Sequence, residues 1–143
     1  MSARDISAPA FLDTNILVYA YDANYPEKRR VAQELLQRAL AGEFVISIQV
    51  LAEFAATLLQ KFAPTVAPQD VISILGTLGP IRTVLPDGDM VRRAVEARAT
   101  YGLHFYDGMI IAAAERAGSE KIWSEDLNAG QKYFGVTVVN PFG

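Results

Sequence analysis

Apolar residues gather in short runs separated by longer segments of helical spacing. Runs at 10–12, 44–46, 82–85, 121–123 and 136–139 have the length of strands. Val31, Leu35, Leu36 and Leu40 form an i, i+4, i+5, i+9 stripe, which predicts a helix from Pro26 to about Ala41, stopped by Gly42. A short helix over 14–21 is entered through Asp13 or Thr14 as cap. Ser47 can cap a helix from about Gln49 to Phe62, and a further helix runs from about Gln69 to Leu78, ended by Gly79–Pro80. Asp87 and Asp89 look like caps for a helix that reaches Tyr101–Gly102. Tyr106–Asp107 opens the most apolar helix, which ends at Gly118.

Short strands alternating with helices predict an α/β fold. The expected architecture is a four- to five-stranded parallel sheet flanked by six or seven helices. No shift in composition marks a boundary, so residues 1–143 read as a single domain.

Composition narrows the chemistry. There is no cysteine, which excludes disulfides, thiolate metal sites and a cysteine nucleophile. An intracellular, cytoplasmic home fits that absence. The one histidine, His104, excludes a two-histidine acid/base pair within the chain and reads as a satisfied loop or core histidine. The net charge of -3 is not the footprint of a typical nucleic-acid binder, so such a partner needs local basic patches or bridging cations. The opening MSARDISAPA has no apolar segment of the signal-peptide kind, and no apolar stretch is long enough to span a membrane.

Four acids stand apart from the rest. Ligands bind at the carboxyl ends of the strands in open parallel sheets, where the crossover helices also begin. Asp13 ends the first strand, and Glu53 lies about two turns into the helix after the second. Asp107 sits in the first turn of the helix before the fourth strand, and Asp126 follows that strand by three residues. All four fall on one edge if the topology holds. Glu27, Glu34, Glu96 and Glu115 fall on outward helix faces, and Glu125 is the neighbour most easily confused with Asp126. Clustered carboxylates cannot all ionise unaided. An all-oxygen set favours Mg²⁺ or Mn²⁺, which suits hydrolysis of a phosphodiester.

At these residues the chain resembles the PIN-domain ribonucleases, and most closely the VapC toxins of toxin–antitoxin pairs. The matching pieces are Phe-Leu-Asp-Thr-Asn at 11–15, Val-Leu-Ala-Glu-Phe at 50–54, Phe-Tyr-Asp-Gly-Met-Ile-Ile-Ala-Ala-Ala at 105–114, Trp-Ser-Glu-Asp-Leu-Asn-Ala-Gly at 123–130 and Val-Asn-Pro-Phe at 139–142. They occur in family order and span nearly the whole chain. The resemblance implies a PIN-like three-layer sandwich and a Mg²⁺- or Mn²⁺-dependent endoribonuclease with an acidic quartet of Asp13, Glu53, Asp107 and Asp126. Asp13 and Asp107 would hold metal directly, and Asp126 would complete the metal site. Glu53 would act through water or help to activate the nucleophile. Thr14, Asn15 and Ser124 look like groups that orient these carboxylates, Asn15 through its amide.

The same resemblance implies an RNA substrate, a homodimer and a cognate antitoxin protein. Lys28–Arg29–Arg30, Arg92–Arg93 and Arg116 are candidate phosphate contacts. Tyr101, Phe105 and Tyr106 are candidates for stacking a base. The helix bearing Phe54, Leu58, Leu59 and Phe62 is a candidate packing surface. Other readings fit less of the chain. A receiver-like signalling domain wants an acidic pair after the first strand, where this chain has Asp-Thr-Asn. A PIN-fold RNA-binding or processing module without toxin role is the remaining alternative.

Overall fold

A computed structural model describes residues 9–143. The reading of the amino terminus as lacking a signal peptide falls on residues 1–10 and lies, but for its last two, outside the described residues. Strand β1 (Ala10–Leu12) leads into α1 (Thr14–Tyr19), and α2 (Pro26–Leu40) returns the chain to β2 (Phe44–Ser47). Helices α3 (Ile48–Lys61) and α4 (Pro68–Thr77) precede β3 (Arg82–Val84). Helices α5 (Gly88–Tyr101) and α6 (Phe105–Arg116) precede β4 (Lys121–Trp123), and β5 (Lys132–Tyr133) and β6 (Val136–Val139) close the chain. Among the described residues no helix is long and apolar enough to cross a membrane.

The sheet runs in the order β3-β2-β1-β4-β6-β5. β1 to β4 and β6 pair in parallel, and only β5 runs antiparallel, against β6. The chain first steps from β1 outward to β2 and β3, then returns to the far side of β1 for β4. The boundary between β1 and β4 is therefore a topological switch point. Right-handed crossovers place α1–α4 on one face and α5–α6 on the other. The packing agrees: α1 lies against α2 and α3, α4 against α3, and α5 against α6. The central strands are dry on both sides, with Phe11, Leu12, Val45 and Ile46 all at 0% exposure. That double burial explains why these strands read as unbroken apolar runs.

The sheet departs from the sequence reading at its far edge. It has six strands where the apolar runs predict four or five in a mostly parallel sheet. The added β5 is two residues long, too short to carry a periodic signal. Its hairpin with β6 turns through Phe134 and Gly135, both at positive φ (49° and 84°). Paired positive φ marks a primed turn, usually announced by Asn-Gly or Asp-Gly. Here tertiary contacts hold the phenylalanine in that conformation. The Arg93 guanidinium lies 3.5 Å from its ring centre, and its backbone N–H donates to the Tyr101 hydroxyl at 2.9 Å.

Gly108 fixes how α6 is seated. A Cβ there would come within 2.9 Å of the Ala94 carbonyl oxygen in α5. Only glycine allows the two backbones this close, and the residue just before it, Asp107, is carried to the sheet edge by the same contact.

Candidate active site

The site assembles at the switch point, where β1 and β4 end side by side. Asp13 follows β1 and caps α1, its Oδ1 accepting the Thr14 backbone N–H at 2.7 Å. Its Oδ2 accepts the hydroxyl of Ser124, which follows β4, at 2.8 Å. Asp13 is thus a helix cap and a member of the cluster at once. It is 7% exposed, and burial pushes its pKa up from the usual 3.8 to about 6. The Ser124 and Thr14 hydrogen bonds work against that rise, and the charges of Asp126 and Glu53 add to it.

Side-chain amides and hydroxyls tie Glu53 and Asp126 to Asp13. Thr14 Oγ1 donates to Glu53 Oε1 at 2.7 Å, joining α1 to α3. Asn15 Nδ2 donates to Asp126 Oδ2 at 3.1 Å and lies 3.4 Å from both Asp13 Oδ2 and Ser124 Oγ. Its Oδ1 accepts the Glu125 backbone N–H at 3.1 Å. Asn15 therefore stitches the first turn of α1 to the loop after β4. Ser124 is fully buried and accepts the backbone N–H groups of Asp126 and Leu127 at 3.2 and 3.3 Å, which shapes that loop.

Asp107 reaches the edge from the first turn of α6. Its side chain meets solvent, yet partial burial raises its pKa, opposed by nearby His104 and reinforced by Asp126 and Glu53. His104 is exposed and caps α6, its Nδ1 accepting the Tyr106 N–H at 3.4 Å. It is a loop histidine rather than a core one. The four acids singled out by sequence stand together at one edge, and among the described residues none pairs with a lysine or arginine.

The donor set is all oxygen, which fits a hard divalent cation. Among the described residues no three Asp, Glu or His side chains are arranged to hold a metal ion by themselves. Magnesium is commonly held by one or two carboxylates, with waters and phosphate completing its shell. Among the described residues no lysine or arginine pairs with buried Asp13, whose pKa burial raises, and a cation would supply the compensating charge.

Several residues of the site carry no sequence signal. Gln49 Nε2 donates to Glu53 Oε2 and to the Tyr106 carbonyl, both at 3.0 Å, and so links α3 to the start of α6. Glu125, in sequence only a neighbour of Asp126, accepts the Tyr19 hydroxyl at 2.6 Å and pairs with Lys28. Asp22, which no motif marks, is fully buried and lies 3.3 Å from Lys61 Nζ. A polar residue in a short irregular junction has no periodicity to betray its burial.

The candidate phosphate contacts sit mostly in ion pairs. Lys28 is engaged by Glu125, Arg30 by Glu27 and Glu34, Arg92 by Asp89, and Arg116 by Asp87. Arg93 forms a fork with Glu115, at 2.9 Å for both nitrogens, so Glu115 is an interhelix partner rather than a freely solvated face residue. Tyr101 packs edge-on against Tyr133 and Phe134 and so serves the core, whereas Tyr106 is 57% exposed. On α3, Phe54 and Leu58 are buried while Leu59 remains exposed.

Comparison with known proteins agrees with this architecture. A toxin–antitoxin complex from Klebsiella pneumoniae superposes with a TM-score of 0.69 at 22% identity, over 92% of this chain and 97% of that one. FitAB bound to an IR36 DNA fragment gives 0.66 at 18% identity, over 94% and 96%. FitAcB from Neisseria gonorrhoeae gives 0.61 at 18%, over 93% and 98%. At these identities the likeness speaks for the fold. No curated protein sequence matches the chain. The sequence profile of the PIN domain matches residues 10–134, nearly the full chain, and the protein therefore belongs to the PIN domain family, a family of nucleases.

Proposed function

We propose that the chain is a Mg²⁺- or Mn²⁺-dependent endoribonuclease and the toxin of a VapBC-type toxin–antitoxin pair. The observation that carries the reading is the uncompensated acidic edge itself. Buried Asp13, with its pKa pushed up to about 6, is hydrogen-bonded into one network with Asp126 and, through Thr14, with Glu53. In this reading Asp13 and Asp107 would hold the metal directly, with waters and phosphate filling most of its shell, and Asp126 would complete the site. When bound, the cation lowers the pKa of a water and neutralises charge on the phosphate. Glu53, aimed by Thr14 and Gln49, takes the proton of the attacking water. Thr14, Asn15 and Ser124 orient the carboxylates.

The structural neighbour from Klebsiella pneumoniae, a toxin–antitoxin complex, supports a protein partner, a cognate antitoxin, for this chain. Exposed Ile48, Leu59 and Ile72 on α3 and α4 supply apolar surface for that antitoxin or for a homodimer. Residues 1–143 act as one unit in this reading, in the cytoplasm, where RNA is at hand.

The test is incubation of the protein with RNA in Mg²⁺, in Mn²⁺ and in chelator, followed by analysis of product ends. Cleavage only with metal, leaving 5′-phosphate and 3′-hydroxyl, is expected, because water and not the 2′-hydroxyl is the nucleophile. Products ending in 2′,3′-cyclic phosphate, or cleavage undiminished in chelator, would overturn the mechanism.

A further inference from the structure

The acidic edge does not end at the acids. A cleft of about 480 Å³ opens beside them and runs along α3. One wall is Glu53, Ala56, Thr57 and Lys61, a single helix face at i, i+3, i+4 and i+8. The rise from Glu53 to Lys61 is roughly 12 Å, enough for a nucleoside and its next phosphate. Tyr19 and Glu125 form part of the opposite wall.

The charges in this cleft are unevenly placed. Glu53 and Asp126 lie at its near end and Glu125 on its flank, so three carboxylates repel a phosphate there. Lys61 is the one cation among the lining residues, and it stands at the far end of the α3 wall. Its side chain is half exposed, and its Nζ is 3.3 Å from Oδ2 of the fully buried Asp22. The other Asp22 oxygen accepts the Asn24 N–H at 3.0 Å. A buried, immobile anion thus pins the ammonium in place while donors remain for a ligand. Lys28, the next cation, pairs with Glu125 and sits 4.9 to 5.7 Å from the ring centres of Tyr19, Tyr25 and Phe142; Lys61 also lies near rings, 5.9 and 5.6 Å from those of Tyr25 and Phe62, but is the more exposed of the two. The flanking wall is therefore rigid, and a phosphate entering the cleft meets attraction at Lys61 alone.

We propose that this cleft seats the RNA nucleotide adjacent to the scissile phosphodiester, with Lys61 contacting the phosphate on that nucleotide's far side. The proposal rests on the ribonuclease reading of the acidic edge and adds the direction in which the strand leaves it.

The test measures binding of a short unstructured oligoribonucleotide in Mg²⁺ by fluorescence anisotropy, using the chain made inactive by Asp107→Asn as parent. Lys61→Ala should weaken binding about tenfold and lower the salt slope by about one phosphate contact. Because Lys61→Ala also strands a buried carboxylate, two further variants are needed. Lys61→Arg keeps both charge and partner and should retain the salt slope. Ala56→Trp fills the cleft from an exposed position without touching the core, and should weaken binding about tenfold while leaving the melting temperature and the salt slope unchanged. Arg98→Ala, on an exposed face of α5, should bind like the parent. If Ala56→Trp binds as the parent does and the Lys61→Ala slope is unaltered, the cleft is not the subsite. If the parent binds no RNA and the wild type cleaves none in Mg²⁺ or Mn²⁺, the ribonuclease reading falls together with this one.

Discussion

The same chemical group behaves in opposite ways at the β1–β4 edge and in the α5–α6 pair. Asp87 caps α5 and accepts both the Met90 N–H and the Arg116 guanidinium, which together draw its pKa down to about 2. Asp13 also caps a helix, yet no cation stands beside it, and burial drives it up to about 6. In the α5–α6 pair every carboxylate with a structural task has an arginine: Asp87 with Arg116, Glu115 with Arg93. At the edge the fold uses hydroxyls and amides instead, from Thr14, Asn15 and Ser124. Hydrogen bonds orient an anion without discharging it. The difference teaches that capping geometry alone does not separate a structural acid from a candidate functional one; the partner does, a cation beside Asp87 and only neutral donors beside Asp13.

The comparison breaks first on catalysis. Asp13→Asn and Asp107→Asn should each lower metal-dependent RNA cleavage by ~10²-fold or more, since each removes transition-state stabilisation that no neighbour replaces. Arg116→Ala, in the paired region, should leave the turnover rate unchanged within threefold. Steady-state cleavage assays of the three variants decide this, and near-wild-type activity in both aspartate variants would make the edge structural.

The two regions meet at Gly108, where α6 leaves its close contact with α5 and delivers Asp107. Gly108→Ala forces a Cβ against backbone that has little room to shift. It should cost about 1–3 kcal/mol and lower the melting temperature by several degrees. Unchanged melting would mean that the helices slide freely and that Asp107 is not rigidly placed.

Opposite pKa shifts give opposite pH dependences in the metal-free protein. Asp13 is raised in the fold, so the native state binds more protons than the unfolded state between about pH 4 and 6. Its contribution is fully present below that window and is lost as pH rises through about 6. Asp13→Asn should therefore melt higher than wild type at pH 7 in chelator, from a gain on the order of 1 kcal/mol, and the gap should close by pH 4. Asp87 is lowered in the fold, so its contribution is present above pH 4 and is lost as pH falls toward 2. Arg116→Ala should flatten that acid limb, the smallest of these effects because the pair is solvent-exposed. Thermal melting from pH 2 to 8 with chelator reads both limbs, and parallel curves for all three proteins would erase the distinction.

Much of this arrangement is legible in the sequence. The helix caps Asp13, Ser47 and Asp87 stand where their spacing to the next apolar residue places them, and Gly102 ends α5 in the left-handed conformation. Each is a local rule acting on adjacent residues. Asp13, Glu53, Asp107 and Asp126 can be brought to one edge because parallel topology sends every crossover helix off from the same side of the sheet. What stays hidden depends on distant partners. Phe134 is held at positive φ by Arg93 and Tyr101, about forty and thirty positions away, and no propensity scale reports that. Gln49 is engaged only because α3 and α6 start side by side. Asp22 is buried by the junction of α1 and α2 and matched by Lys61 at the end of α3, a pairing across 39 positions.

Whether the uncompensated edge is built for a divalent cation is tested most directly by calorimetric titration of Mn²⁺ into the wild-type protein and Asp13→Asn at pH 6. Wild type should show saturable binding with release of protons, because Asp13 is about half protonated at that pH and must ionise to ligate. Asp13→Asn should show neither. Equal binding by the two proteins, or binding by wild type with no proton released, would contradict it.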